Sequence, residues 1–190
     1  MSRRQEVLVA LADAALAVER PHPVRVAIDG CSAAGKTTLS DELAATLRER
    51  TAREVIRVSI DQFRRAVALR TRFPQDSPES YYLDSWDNDG IRDKLLVPLG
   101  PGGTLSYRPA LMDLAALTAL DGPDRTATAD AVLIADGCFL QRPELDPHWD
   151  LRIFVDIPLD AVRPRDRAQL VVDNRDFEAP RLTVRPHPSA

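Results

Sequence analysis

The chain switches between two hydrophobic periods, and the switches lay out its elements. Residues 3–19 place Val7, Leu8, Leu11, Ala14, Ala15 and Val18 on one face at helical spacing, and Pro21 and Pro23 stop the run. This predicts an amphipathic helix packed on the outside of the domain. Residues 24–28, Val-Arg-Val-Ala-Ile, are β-branched and mostly apolar without clean alternation, the pattern of a parallel strand covered on both faces. Helical spacing returns at Leu39, Leu43 and Leu47. Further apolar runs at 54–59, 131–136, 151–157 and 169–173 predict strands. Strands alternating with helical segments predict an α/β fold: a doubly wound parallel sheet of five strands flanked by helices. The sequence thus divides into an N-terminal helix (1–22), an α/β domain (23–177) and a proline-bearing tail (178–190) expected to be unstructured.

The sharpest chemistry sits where the first strand gives way to its helix. Gly30-Cys31-Ser32-Ala33-Ala34-Gly35-Lys36-Thr37, followed by Thr38, fits G-x-x-x-x-G-K-[ST] in the strand–loop–helix context that this motif requires. Loop N–H groups and a helix N-terminus make a concavity that favours anions. Lys36 brings a mobile cation for terminal phosphates, and Thr37 a hydroxyl for Mg²⁺. The motif predicts an ATP and Mg²⁺ site formed by residues 30–38.

Two carboxylates follow predicted strands, where open α/β sheets bind ligands. Asp61 lies just past 54–59; it either faces the crevice, accepting a proton from an attacking hydroxyl or helping hold the metal, or caps the helix that follows. Asp136 ends the run Ala-Val-Leu-Ile-Ala; the lack of alternation favours a buried parallel strand whose last residue reaches Mg²⁺ over a hairpin turn at Asp136-Gly137. Residues 74–90 mix aromatics with carboxylates. Tyr82, Asp84 and Asp87 are candidates for an acceptor pocket, with the alternative that Asp87 caps a helix at 89–97 over Trp86. Tyr107 and Arg108 are further candidates, although a surface hairpin explains 104–108 as well. His148 has no cysteine, serine or second histidine nearby to complete a constellation and is expected to be structural.

Composition narrows the partners. Among 190 residues the net charge is −4, which argues against a nucleic-acid surface but not against a small nucleotide ligand. No apolar run approaches a membrane span, and Glu6, Asp13 and Glu19 spoil the N-terminus as a signal peptide. Cys31 and Cys138 show no metal spacing, and a disulfide inside a phosphate loop is awkward, so a cytoplasmic setting is expected. Nothing in the pattern bears on oligomeric state.

Taken together, VAIDGCSAAGKTTL, VSIDQF, LIADGCFLQRPEL, WDLRIFVDIP and LVVDN resemble the uridine kinase-like branch of the P-loop kinases, related to phosphoribulokinase and bacterial pantothenate kinase, over residues 24–174. The resemblance implies an ATP-dependent transfer of the γ-phosphate to a hydroxyl of a small molecule, with a nucleoside as one candidate. It implies that Asp61 orients or deprotonates that hydroxyl, that Lys36 serves the phosphates, and that Thr37 and Asp136 serve Mg²⁺. Asp136 stands where many relatives carry Glu. The family's arginine-bearing lid has no counterpart between about residues 160 and 167 and is expected to be absent. A nucleotide-binding module with little or no catalysis is the alternative that such a loss leaves open.

Overall fold

The computed structural model describes residues 2–75, 77–114, 116 and 118–157, together with the backbone of 170–173 and 181–184. The chain divides into two compact units, Met1–Asp156 and Ile157–Ala190.

In the first unit, helix α1 (Arg3–Leu16) opens with a capping box, Ser2 accepting from the Gln5 N–H while the Gln5 side chain accepts from the Ser2 N–H. Strand β1 (Val24–Gly30) is buried along its whole length, and helix α2 (Lys36–Arg50) follows it. Strand β2 (Val55–Ser59) leads into a 3₁₀ turn at Ile60–Phe63. Short helices α3 (Pro78–Leu83) and α4 (Asn88–Ile91) come next, the latter continuing as a π-helical turn through Arg92–Leu96. Two short antiparallel ladders follow: β3 (Ser106–Tyr107) with β6 (Arg125–Thr126), and β4 (Met112–Asp113) with β5 (Thr118–Ala119). Strands β7 (Val132–Asp136) and β8 (Leu151–Val155) complete the sheet.

That sheet has four strands in the order β2-β7-β1-β8, all parallel. Burial follows position: the central strands β1 and β7 are covered throughout, whereas β2 and β8 alternate. On one face, Leu8, Ala12 and Ala15 of α1 and Leu43 and Leu47 of α2 cover Val26, Ile28 and Ile134. On the other, Phe63, Trp86, Leu95, Leu96, Leu140 and Trp149 cover Ile56, Val58 and Leu133. Arg25 is one of two buried charged residues in β1. Its guanidinium and its N–H both donate to Asp150 Oδ2 at 3.0 Å, in a pair whose side chains are 5% and 7% exposed.

The five-strand expectation needs correction. The fifth run, β9 (Leu170–Asp173), pairs antiparallel with β10 (Arg181–Val184) within the second unit, so the parallel sheet has four strands. An apolar run marks a strand but not its partner, and a parallel crossover needs a dozen or more residues. Strand β10 also lies within the stretch expected to be unstructured from 178 onward. The segment at about 160–167, where a lid was expected to be missing, lies outside the described residues. No helix among the described residues is long and apolar enough to cross a membrane.

Candidate active site

The register of the sheet assembles the site. Ile28 of β1 and Ser59 of β2 both align with Asp136, so three strands end together at one edge. The order β2-β7-β1 makes this the point where chain connections depart in opposite directions, the usual crevice for ligands. A cavity of about 390 Å³ opens there, bordered by Lys36, Thr37, Asp61, Arg64, Trp86 and Asp136 among others.

The glycine loop forms its floor. Gly35 takes φ +85°, a left-handed conformation that costs glycine little, and Ala33 is held at φ +63° beside it. A Cβ on Gly30 would lie 2.6 Å from the Val155 carbonyl, which explains why the loop leaves β1 on a glycine. No side chain caps α2, and the first amide that bonds back into the loop is that of Leu39, to Gly35 O at 3.0 Å. The start of α2 is therefore available to an anion. Lys36 Nζ rests on the Cys31 carbonyl at 2.7 Å and lies 3.5 Å from Cys138 Sγ.

Asp136 and Thr37 meet at the centre. Thr37 Oγ1 donates to Asp136 Oδ2 at 2.7 Å. Arg57 Nη1 lies 2.7 Å from Asp136 Oδ1 as an ion pair, but outside hydrogen-bond geometry, so this buried oxygen has no hydrogen-bond donor among the described residues. A buried carboxylate at a strand end, beside a hydroxyl at the start of a phosphate-loop helix, fits Mg²⁺, a cation held by one or two protein oxygens plus substrate phosphates; here its Oδ1 is paired with Arg57. No cluster of three or more metal-ligating side chains occurs among the described residues.

Asp61 lies within the 3₁₀ turn, where Ser59, not Asp61, occupies the N-cap position. Its carboxylate is exposed in the cavity and makes no hydrogen bond or ion pair with any described residue. The capping alternative therefore does not describe it.

The proposed acceptor residues are placed differently. Asp84 is fully buried, accepting from Arg65 Nη1 at 3.2 Å and the Arg72 N–H at 3.3 Å. Asp87 caps α4, accepting from the Gly90 N–H at 3.1 Å, and lies 3.5 Å from Arg65 Nη2. Both carboxylates are engaged in holding backbone and Arg65. Tyr107 is 3% exposed in the core, where burial, the largest cause, and Glu54 push its phenol up. Arg108 donates to the Leu120 carbonyl at 2.8 Å. Tyr82 packs edge-on against Phe139 at 4.9 Å, under the Arg142 guanidinium. None of these five borders the cavity; Tyr81 and Trp86 do. His148 sits in a 3₁₀ turn, where burial and then the charges of Arg25 and Arg92 lower its pKa.

Three contributions escaped the sequence reading. Asp29, buried in β1, accepts the N–H groups of Gly30 (2.7 Å), Phe139 (3.0 Å) and Gln141 (3.1 Å), tying the phosphate loop to the loop after β7. Phe139, held at φ +65°, anchors an aromatic cluster with Tyr81, Tyr82 and Trp86. Arg64 stacks over Trp86 at 5.1 Å with its Nε buried and unpartnered among the described residues. The density of arginine at 64, 65, 70 and 72 in an acidic chain was the available signal for Arg64.

A glycine loop on the central strand of a parallel sheet, with a lysine, a threonine and a strand-end aspartate converging on one crevice, is the arrangement of a P-loop fold. The fold is that of uridine kinase-like P-loop kinases. It is similar to the structure of a provisionally assigned uridine kinase from Bacillus stearothermophilus, with 25% identity, 83% of each chain covered and a TM-score of 0.71. It is also similar to a provisionally assigned fructose transport system kinase from Silicibacter sp. TM1040, with 26% identity, 80% of this chain and 75% of that one covered, and a TM-score of 0.62. No family model matches the sequence, and no curated protein matches it.

Proposed function

We propose that this protein is an ATP-dependent phosphotransferase that adds the γ-phosphate to a hydroxyl of a small molecule. The observation that carries the reading is the unpaired Asp61 carboxylate in the same cavity as Lys36, Thr37 and Asp136. A protein that only holds a nucleotide has no use for a free carboxylate opposite its phosphate loop. A base for an acceptor hydroxyl belongs there. The names of the two structural neighbours support a small-molecule acceptor, a nucleoside or a sugar among the candidates.

In the proposed reaction the acceptor oxygen bonds to the γ-phosphorus and the bond from that phosphorus to the bridging oxygen breaks, releasing ADP. The hydroxyl proton passes to Asp61 and then to water. Loop amides and the start of α2 hold the phosphates, and Lys36 exchanges its bond to the Cys31 carbonyl for one to phosphate oxygen. Thr37 and Asp136 would hold Mg²⁺, which when bound neutralises phosphate charge. Tyr81 and Trp86 border the cavity, and Phe139 packs edge-on against both.

ADP release measured against a panel of nucleosides, pantothenate and sugars tests the reading. Turnover that rises on adding one acceptor supports it. ATP binding without acceptor-dependent turnover for any small molecule contradicts it, and leaves a nucleotide-binding module.

A further inference from the structure

A second cavity of about 620 Å³ meets the nucleotide cavity at Arg64, which borders both. It is lined by Ala66, Val67, Ala68, Met112 and Leu114 together with Arg64, Arg65 and Arg70.

The three are not equivalent. Arg65 is neutralised by Asp84 at 3.2 Å and Asp87 at 3.5 Å. The Arg64 side chain makes no hydrogen bond or ion pair with a described residue; its guanidinium lies over the face of Trp86, and its Nε is buried without an acceptor among the described residues. Arg70 donates from Nε and Nη2 to a single carbonyl, that of Arg65, at 3.0 and 2.8 Å, and forms no ion pair with a described carboxylate. A solvated arginine face would keep these donors in water or beside acids. Here two arginines border one cavity, and neither forms an ion pair with a described carboxylate. Burial and then the Arg64 charge lower the Arg70 pKa, and the Asp84 charge offsets this in part.

We infer that the acceptor carries an oxyanion, a carboxylate or a phosphomonoester, which Arg64 and Arg70 bind in this second cavity while its hydroxyl lies at Asp61. The placement follows from the chain. The Arg64 N–H bonds to the Asp61 carbonyl at 3.1 Å, so the base and the first anion-binding residue leave the same 3₁₀ turn. A planar guanidinium matches either oxyanion with paired hydrogen bonds. The apolar walls suit a short carbon skeleton between the two ends. Asp84 and Asp87, which do not touch the nucleotide cavity, then have a role as well: they hold Arg65 and the segment that carries its neighbours.

This inference rests on the phosphotransferase reading, and its test separates the two. The full chain is titrated calorimetrically with ribose 5-phosphate against ribose, and gluconate against glucose, with the phosphate loop filled by Mg·AMP-PNP so that no anion binds there. Mg·ATP is titrated separately. At least one anion should bind about tenfold or more tighter than its neutral counterpart, the size expected for a charge-assisted hydrogen bond. Arg70→Gln, which lies away from the nucleotide cavity, should abolish that preference without changing Mg·ATP affinity, and Arg70→Lys should restore part of it. Preference for ribose 5-phosphate alone identifies a phosphate ligand, and for gluconate alone a carboxylate. Neutral sugars binding as well as the anions, or no anion binding while Mg·ATP does, would overturn the inference and leave the phosphotransferase reading standing. Equal anion binding by wild type, Arg64→Gln and Arg70→Gln would also overturn it. Arginine-dependent anion binding in a chain with no affinity for Mg·ATP would sink the phosphotransferase reading instead.

Discussion

Thr37 Oγ1 donates a 2.7 Å hydrogen bond to Asp136 Oδ2, joining the first turn of α2 to the last residue of β7. The two residues are 99 positions apart in sequence, and the β1–β7 register that aligns Ile28 with Asp136 brings them together. The bond orients the carboxylate and turns its other oxygen toward Arg57. Asp136→Asn keeps the shape but loses the charge. It should raise the Mg²⁺ concentration needed for half-maximal nucleotide binding by about tenfold or more, as loss of a metal-orienting partner commonly does. Titration of Mg²⁺ at fixed ATP checks this; an unchanged midpoint would remove Asp136 from the metal site.

Lys36 is the only charged side chain in the phosphate loop. Lys36→Ala should weaken ATP binding sharply while leaving the thermal melt near that of the wild type, because the ammonium bonds only to a loop carbonyl and a thiol in the described structure. Calorimetry showing equal affinity in both proteins would contradict the assignment of the loop.

Asp29 contributes through architecture. One carboxylate satisfies three buried or half-buried N–H groups and holds Phe139 in its left-handed conformation. Asp29→Ala should destabilise the first unit by about 3 kcal/mol, since hydrogen bonds to a charged group are worth roughly 1.5–3 kcal/mol each and the loop relaxes in part. Urea unfolding gives the number, and a loss under about 0.5 kcal/mol would show that the tie is dispensable.

Asp150 supplies a pH dependence. Burial alone would push its carboxyl up, but the side-chain and backbone hydrogen bonds from Arg25, with the Arg25 charge, together hold it below the ordinary range. The unfolded chain therefore takes up the proton first. The stabilisation is complete above the ordinary aspartate pKa of about 4 and is lost as pH falls through the depressed folded value. Asp150→Asn should remove that acid step. At neutral pH it should also cost about 3 kcal/mol, because it leaves the Arg25 guanidinium buried without its counter-ion. Unfolding curves between pH 3 and 7 check both statements.

The central strands and the phosphate loop were legible because each has a local signature. A β-branched run without alternation, ended by glycine or aspartate and followed by helical spacing, leaves little choice for 24–38 or 131–136. Asp87 was legible as a cap only as one of two open readings, and Asp84 was not legible as a structural residue at all. Asparagine-rich and aspartate-rich turns look alike whether they cap a helix, hold an arginine or face a ligand, and only the burial of Asp84 and the Gly90 bond to Asp87 separate these roles. Tyr107 shows the same limit, since a two-residue strand carries no period from which its buried side could be read. The pairing of β9 with β10 depends on a partner that the β9 run does not encode. Arg64 and Arg70 were hidden for another reason. The proposal for them rests on their forming no ion pair with a described residue, and the sequence of an acidic chain does not reveal which arginines go unpaired.

The central claim is that Asp61 acts on the acceptor, and Asp61→Asn tests it directly. The substitution is nearly isosteric and breaks no hydrogen bond or ion pair with a described residue, so folding and ATP affinity should not change. Calorimetric ATP affinity is measured beside acceptor-dependent ADP release. The account predicts unchanged ATP binding and a rate of phosphoryl transfer lower by about 10²–10⁴-fold, the range for loss of a general base. Transfer at the wild-type rate by Asp61→Asn would contradict it.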